Sequence, residues 1–335
     1  MDAPLNSLFV EAEVKIHSLF HPVKAIREDE QSFFNLESAD VVLVYFDADF
    51  AKKVKLELKD FGFHFKKISF LDAGSILDQS SKGVLQVFTL LRQMNIVPIM
   101  LDLSQSSGIM LINEFSKDKN DTLMLTSKIP NEVSVENPHL GFLAFQRHLM
   151  DLDHLLSLDE VSFMSASLGM VKRFPNIVEP IMRNVSDVFI DLNVLKASEI
   201  GSFHTNYPTG MTSEDVCQCS RIAGASYLSK GLYILVNNDH KSAISSPKLI
   251  ATMAWYFLEG MQFKRSSERT LTDETIVNVK DSEETLVFCK DQDSRWWVKL
   301  ESRQDQSFIA CMYEEYESTL KGEMPQRLWR QLMLS

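Results

Sequence analysis

The sequence has 335 residues, of which 45% are hydrophobic and 24% are charged, and its formal net charge is −12. This composition is typical of a folded globular protein and excludes a fibrous or disordered chain. The acidic balance argues against nucleic acid as a partner, because binding a phosphate backbone relies on clustered Lys and Arg. The sequence offers neither an apolar run long enough to span a bilayer nor the basic and apolar stretches of a secretory signal, so it predicts a cytoplasmic protein without a membrane partner.

Between residues 40 and 262, short apolar runs alternate with longer helical patterns. Such alternation indicates a parallel sheet that is covered by helices on both faces. The helical patterns cover residues 79–94, 213–228 and 247–260, and the second of them follows the capping-box-like sequence Thr212-Ser-Glu-Asp215. The candidate strands are residues 41–46, 67–71, 97–101, 122–126, 140–145, 187–192 and 232–236.

After about residue 264 the pattern changes to strict alternation of apolar and polar residues, which is typical of antiparallel hairpins. We expect a main domain over residues 1–269, of which 1–35 form a lead-in, and an appendage over residues 270–335 that packs on it. Trp296 and Trp297 are neighbours on one predicted strand and therefore point to opposite faces. One indole should fill the junction with the main domain, and the other is expected at a subunit interface. The predicted strands here are residues 275–280, 284–289, 295–300 and 307–311, with helices over 313–320 and 325–334.

Residues 187–260 carry the most specific pattern in the chain. It includes Asp187-Val-Phe-Ile-Asp-Leu-Asn193, a segment that begins Tyr207-Pro-Thr-Gly210, and a helical segment that ends in Glu259-Gly260. The pattern resembles the C-terminal half of the arginase, agmatinase and formimidoylglutamase family, the ureohydrolases, and in particular its formimidoylglutamase-like members found in Bacteroidetes. The similarity is spread over roughly residues 36–330, and it is strong after Val178 and weak before it. The resemblance implies a three-layer α/β/α ureohydrolase fold with a parallel sheet, followed by a small antiparallel β appendage.

Active members of this family hold two Mn²⁺ ions with a dense cluster of acidic and histidine ligands at strand ends, and the metals activate a hydroxide. A further acidic position of the family contacts substrate and catalytic water, and it corresponds here to Leu235. The resemblance places the ligand positions at Gln105, Thr126, Lys128, Pro130, Asp191 and Asn193. Only Asp191 keeps a ligand type that suits Mn²⁺. The resemblance therefore predicts a lost metal site, no cofactor and no catalytic residue.

Two other arrangements of polar residues deserve weight beside this interpretation. The ammonium group of Lys128 could replace the metal charge by pairing with Asp191, although a lysine pointing to solvent is the more frequent case. His204 and His240 follow candidate strands on the face where α/β sheets place ligands. With Asp191, Asp239 and Gln105 they could compose a new metal or hydrolytic site in a reused cleft. Loop histidines are more often solvated or bound to nearby backbone groups.

The sequence therefore predicts a metal-free, non-catalytic protein on a ureohydrolase fold, with a binding or structural role. Its former cleft would be filled, or reused for an unknown small molecule or protein, and a homo-oligomer is allowed. The alternative is a metal-dependent hydrolase of C–N bonds in guanidino or formimino compounds that tolerates an altered metal site. The missing ligands favour the first interpretation, because function must be argued from the site and not from the fold.

Overall fold

A computed structural model describes residues 9–10, 39–62, 65, 68–118, 121–161, 164–201, 206–266, 271–279, 285–299 and 308–334. Within these ranges a nine-stranded sheet has the order β1-β3-β2-β4-β9-β8-β5-β6-β7. Strands β2 to β9 pair in parallel, and β1 adds antiparallel to the edge of β3. The strands are β1 (Phe9–Val10), β2 (Val41–Tyr45), β3 (Phe70–Ile76), β4 (Val97–Leu103), β5 (Thr122–Leu125), β6 (Leu140–Phe145), β7 (Ala166–Ser167), β8 (Asp187–Asp191) and β9 (Gly231–Leu235).

Helices cover both faces of this sheet, so its strands are buried on two sides. Alternate strand residues feed two cores: Val41 and Leu43 of β2 face α1, α8 and α10, whereas Val42 and Val44 face α2 and α3. The helices of the main domain are α1 (Ala48–Lys59), α2 (Ser81–Gln93), α3 (Gln105–Phe115), α4 (Leu152–Val161), α5 (Leu168–Arg173), α6 (Val178–Met182), α7 (Ala197–Ile200), α8 (Ser213–Ala225), α9 (Asn238–Ser242) and α10 (Ser246–Ser266). Within the described residues, no helix combines the length and the apolar character needed to cross a membrane.

The predicted capping box at the start of α8 is confirmed, since Thr212 and Asp215 exchange side-chain to backbone hydrogen bonds. Helices α8 and α10 then approach closely because each has a glycine at the contact. A Cβ atom on Gly224 would lie 2.0 Å from the carbonyl oxygen of Phe257, and one on Gly260 would lie 2.0 Å from that of Arg221. Any larger residue would force the two helices apart.

The strand predicted at residues 67–71 is misplaced, because β3 covers Phe70–Ile76. This strand has no continuous apolar run: it contains Asp72 and Gly74, and Gly74 has φ 95° at a register shift against β2. The carboxylate of Asp72 is buried and is held by Lys55 at 2.8 Å. A search for apolar runs misses this strand because Asp72 and Gly74 interrupt the run. The strand can bury Asp72 because Lys55 of α1 neutralises it.

The C-terminal part forms a separate four-stranded antiparallel sheet, in the order β10-β11-β12-β13. These strands are β10 (Leu271–Asn278), β11 (Thr285–Asp291), β12 (Trp296–Lys299) and β13 (Phe308–Cys311), and the helices α11 (Tyr313–Leu320) and α12 (Gln326–Leu334) follow them. The fully buried indole of Trp297 packs with Tyr227 at the end of α8, as expected for the junction. Trp296 instead stacks on Tyr316 at 4.2 Å between ring centroids. Its partner thus lies in its own chain, and the ring gives no support for a subunit interface.

Side chains that follow α6 hold the small sheet against the main domain. The guanidinium of Arg183 lies 4.6 Å from the ring centroid of Trp297 and donates to the backbone carbonyl of Trp296. Asn184 Nδ2 donates to the carbonyl of Phe308 at 3.2 Å, so it meets the outer edge of β13. The Asn184 contact covers part of the β13 edge, which would otherwise expose an unpaired backbone carbonyl.

Candidate functional site

Four neighbouring strands of the main sheet end in one row. In this row Leu103 of β4 lies opposite Leu235 of β9, and Leu235 lies opposite Asp191 of β8. On the far side of β8, Leu125 of β5 lies opposite Ile190, so that Thr126 comes next to Asp191. Thr126, Asp191 and Leu235 are positions that the family resemblance marked as metal or substrate contacts. The parallel arrangement places all three at a single edge of the sheet, at the ends of β5, β8 and β9. In open α/β sheets ligands bind outside this carboxyl edge.

Asp191 lies at the centre of this row and is almost completely buried. Its Oδ2 accepts a hydrogen bond from the hydroxyl of Thr126 at 3.1 Å, and its Oδ1 accepts one from the backbone N–H of Asn193 at 3.0 Å. The second bond caps the short helical turn Leu192–Val194. Burial raises the pKa of Asp191 to about 6, and the hydrogen bonds from Asn193 and Thr126 oppose that rise. Each oxygen thus accepts one hydrogen bond, and the carboxyl group takes up a proton more readily than usual.

The neighbours of Asp191 are mostly apolar or turned away from it. Leu235 is buried and reaches over the start of α3, where a Cβ atom on Gly108 would lie only 2.8 Å from its Cδ2. Gln105 is the first residue of α3, and its side chain is exposed. The side-chain oxygen of Asn193 is buried and has no hydrogen-bond partner within the described part of the chain. Apolar packing and one carboxyl group therefore dominate this edge.

The hypothesis of an ion pair between Lys128 and Asp191 is wrong. Lys128 is exposed and Asp191 is buried, and no ion pair of the described residues joins them. The backbone carbonyl of Lys128 instead accepts a hydrogen bond from Thr126 Oγ1 at 2.9 Å. Pro130 is buried two residues later, beside Ile129 in the core under α3. The turn after β5 therefore sends its lysine to solvent and its apolar residues inward.

His240 takes a structural role and does not join a cleft. Its Nε2 lies 2.8 Å from Oδ1 of Asn206, and its Nδ1 accepts the backbone N–H of Asn237 in a capping box at the start of α9. Burial lowers the pKa of His240 to about 4, so the ring is neutral at pH 7. Asp239 beside it is exposed, and His204 lies outside the described residues. The described residues therefore do not bring the proposed histidine and aspartate set together.

A second polar group at the same edge was missed in the sequence. Asp102 of β4 is buried, and its oxygens accept the backbone N–H groups of Phe46 and Asp47 at 2.7 and 3.0 Å. Lys241 of α9 donates to Asp102 at 2.8 Å and to Asp47 at 3.3 Å. Burial lowers the pKa of Lys241, but the hydrogen bond and charge of Asp102 outweigh burial and raise it above its usual value. An acidic residue inside the otherwise apolar strand 97–103 was the available signal.

This geometry defines an α/β/α protein with its candidate site at the carboxyl edge of a parallel sheet. Comparison with solved structures identifies the fold more specifically. The chain is similar to a formiminoglutamase of Trypanosoma cruzi with Mn²⁺, at TM-score 0.56 and 12% identity, over 69% of this chain and 96% of that one. It is similar to a formimidoylglutamase of Bacillus subtilis, at TM-score 0.52 and 13% identity, over 71% and 96%.

A third similar structure is an agmatine ureohydrolase of Thermoplasma volcanium, at TM-score 0.52 and 14% identity, over 69% of this chain and 92% of that one. No family model and no curated protein matches the sequence. Identities this low show the fold alone. The chain therefore has the arginase-like fold, and the predicted parallel three-layer architecture with a C-terminal antiparallel sheet is confirmed.

The described side chains at the carboxyl edge do not fit a pair of Mn²⁺ ions. Such a centre needs several hard oxygen and imidazole donors directed at one point. Asp191 already accepts two hydrogen bonds, Leu235 adds no donor, and Asp102 is neutralised by Lys241. Within the described ranges there is no group of three or more His, Cys, Asp or Glu residues placed to hold a metal ion. No step of a metal-dependent reaction can be assigned to these residues.

Proposed function

We propose that this protein is a metal-free, non-catalytic member of the arginase superfamily with a binding or structural role. The observation that carries the proposal is the environment of Asp191. The carboxyl group is buried, its two oxygens accept bonds from Thr126 and Asn193, and its neighbour in the sheet is Leu235. Burial raises the pKa of this carboxyl group to about 6, no described residue forms an ion pair with it, and Leu235 adds no second oxygen or nitrogen donor beside it.

The residues around Asp191 are further evidence that the carboxyl edge of the main sheet is covered. Gln146 at the end of β6 exchanges two hydrogen bonds with Thr209, at 2.7 and 3.1 Å. Asn206 donates to the carbonyls of Leu192 and Leu195 while it contacts His240. These bonds fix the segment 206–211 over the ends of β8 and β6. We propose that a small molecule or a protein would meet this covered surface, and not an open catalytic cleft.

Metal content and activity of the purified full chain test the proposal together. The protein is expressed with Mn²⁺ in the medium, its metal is quantified by mass spectrometry, and hydrolysis of arginine, agmatine and formiminoglutamate is measured. We expect substoichiometric Mn²⁺ and no turnover above a no-enzyme control. Stoichiometric Mn²⁺ with turnover that is lost in Asp191→Ala would establish the alternative, a hydrolase of C–N bonds with an altered metal site. The cytoplasmic location and self-association stay predictions from the sequence.

A further inference from the structure

A shallow depression of about 350 Å³ lies on the outer helical layer, far from the carboxyl edge. It is lined by Asp60, Phe61, Gly62, Thr252 and Trp255. Helix α1 starts at the carboxyl edge of β2 and runs for 12 residues, about 18 Å, before it reaches this place. The depression is therefore separate from the site discussed above and independent of the proposed function.

The sequence forms this depression by ending α1 beside a small residue of α10. Asp60 caps α1, and Gly62 follows without a side chain, so space remains opposite Thr252. The indole Nε1 of Trp255 donates to the carbonyl of Gly62 at 2.9 Å. The same ring packs against Phe65 with 5.3 Å between centroids. The wall of the depression is thus held in place by a hydrogen bond and by aromatic packing, before any ligand arrives.

Three features of the depression attract positive charge. The carboxylate of Asp60 is exposed at its rim. The C-terminus of α1 carries the partial negative charge of a helix dipole, which the exposed Lys59 in its last turn partly offsets. Phe61 and Trp255 line the depression, and aromatic side chains favour a cation with alkyl groups over a strongly hydrated ion. The neighbouring ammonium of Lys248 is paired with Glu57 at 3.9 Å.

We infer that this depression is a binding site for a small organic cation of the alkylammonium class. The charge would lie between the Asp60 carboxylate and the two aromatic rings, and the alkyl groups would contact Trp255 and Thr252. The ligand matches the acidic rim, the aromatic wall and the limited volume at once. Neither an anion nor an uncharged polar ligand gains from all three features.

Ligand-observed NMR with tetramethylammonium chloride, at constant ionic strength on the full chain, tests the inference. We expect saturable binding, and Asp60→Asn should weaken it by about three- to tenfold, the effect of one partly exposed charge. Asp49→Asn is the matched control, because it removes the same charge from the exposed first turn of the same helix. It should leave the affinity unchanged.

Two further outcomes decide between cation recognition and unspecific contact. tert-Butanol, a neutral molecule of similar shape, should bind at least about fivefold more weakly, since it lacks the charge that the rings and Asp60 recognise. Trp255→Leu should abolish binding, and its melting curve shows whether the variant is folded. The inference is overturned by absent binding, by equal binding of tert-butanol, or by equal weakening in the Asp60 and Asp49 variants.

Discussion

Two buried carboxyl groups at the same edge of the sheet are accommodated in different ways. Asp102 lies near the end of β4, where Lys241 and two backbone N–H groups that follow β2 donate hydrogen bonds to it. Asp191 lies only two strands away, where Thr126 and Asn193 donate hydrogen bonds to it and no residue that the structure describes forms an ion pair with it. A buried carboxylate needs either a counter-charge or a proton. Asp102 has the counter-charge, whereas Asp191 has no such partner among the described residues and burial raises its pKa to about 6.

The hydroxyl of Thr126 shows how a proton would complete the second environment. Its oxygen lies 2.9 Å from the carbonyl of Lys128 and 3.1 Å from Oδ2 of Asp191. One hydroxyl hydrogen cannot serve both acceptors fully. When Asp191 is protonated it donates to Thr126, and Thr126 then donates to Lys128. With the neutral acid, Thr126 and the carbonyl of Lys128 both have a hydrogen-bond donor. With the ionised acid, Asp191 and that carbonyl compete for the single hydrogen of the Thr126 hydroxyl.

The largest expected effect comes from removing the counter-charge of the first group. Lys241→Met should destabilise the fold by about 3 kcal/mol at pH 7, because Asp102 would stay buried without its cation. Urea unfolding measures this change. Lys248→Met, which breaks an exposed pair with Glu57, should cost less than about 0.5 kcal/mol. Adding Asp102→Asn to the Lys241 variant should recover part of the loss, and strict additivity of the two changes would contradict the pairing.

The next effect tests the proton on the second group. The raised pKa of Asp191 means that its contribution to stability is complete below about pH 4 and is lost as the pH rises through about 6. Asp191→Asn mimics the protonated acid, so it should equal the natural protein near pH 4 and be more stable by about 2 kcal/mol above pH 7. Unfolding free energies measured across this range decide the point. A destabilised variant at pH 8 would show that Asp191 is needed as a charge.

A smaller effect of opposite sign is expected at Asp291 in the C-terminal sheet. Burial raises the pKa of Asp291, but N–H groups of Arg295 and Trp297 together with the Arg295 charge outweigh it and lower the pKa. Its contribution is therefore present above the pKa of the unfolded chain and is lost on acidification. Asp291→Asn should cost about 1 kcal/mol at pH 7, and the cost should shrink towards pH 3. A cost that is independent of pH would contradict the charge argument.

The smallest effect is expected from metal. About 1 mM Mn²⁺ should leave the melting temperature of the natural protein within about 1 °C of its value in chelator, because binding only to the folded state would otherwise raise it by several degrees. Differential scanning fluorimetry measures this, with Asp191→Asn as the control. A rise in the natural protein that is absent from the variant would mean that Mn²⁺ displaces the proton of Asp191, and the comparison would fail.

Local sequence patterns were sufficient to predict most strands of the main sheet. The apolar runs that became β2, β4, β5, β6, β8 and β9 are fully buried, so an apolar-run criterion finds them. The strands β1 and β7 have two residues each, which is too short for any periodicity. The strand β3 was misplaced because Asp72, which Lys55 neutralises, and Gly74 interrupt its apolar run near the middle. Errors thus occur where a tertiary contact overrides the local pattern.

The candidate site was less accessible to prediction. Asp191 and its apolar neighbour Leu235 could be placed at one edge because each ends a strand. Lys241 could not be assigned to Asp102, since 139 residues separate them and no periodicity links this lysine to one acid among many. His240 looked available for chemistry for the same reason: its partner Asn206 is 34 residues away. The sequence marks which polar residues are unusual, but the fold decides how each is satisfied.

The position of β9 has a consequence for synthesis of the chain. It is the last strand of the main sheet in sequence, yet it lies between β4 and β8 and joins the two halves of that sheet. Until the ribosome has released residues 231–235, the halves cannot meet, and the apolar strands β4 and β8 each keep an open edge. Open apolar edges recruit other chains, so the insertion of β9 between β4 and β8 is the step that closes the main sheet against such association.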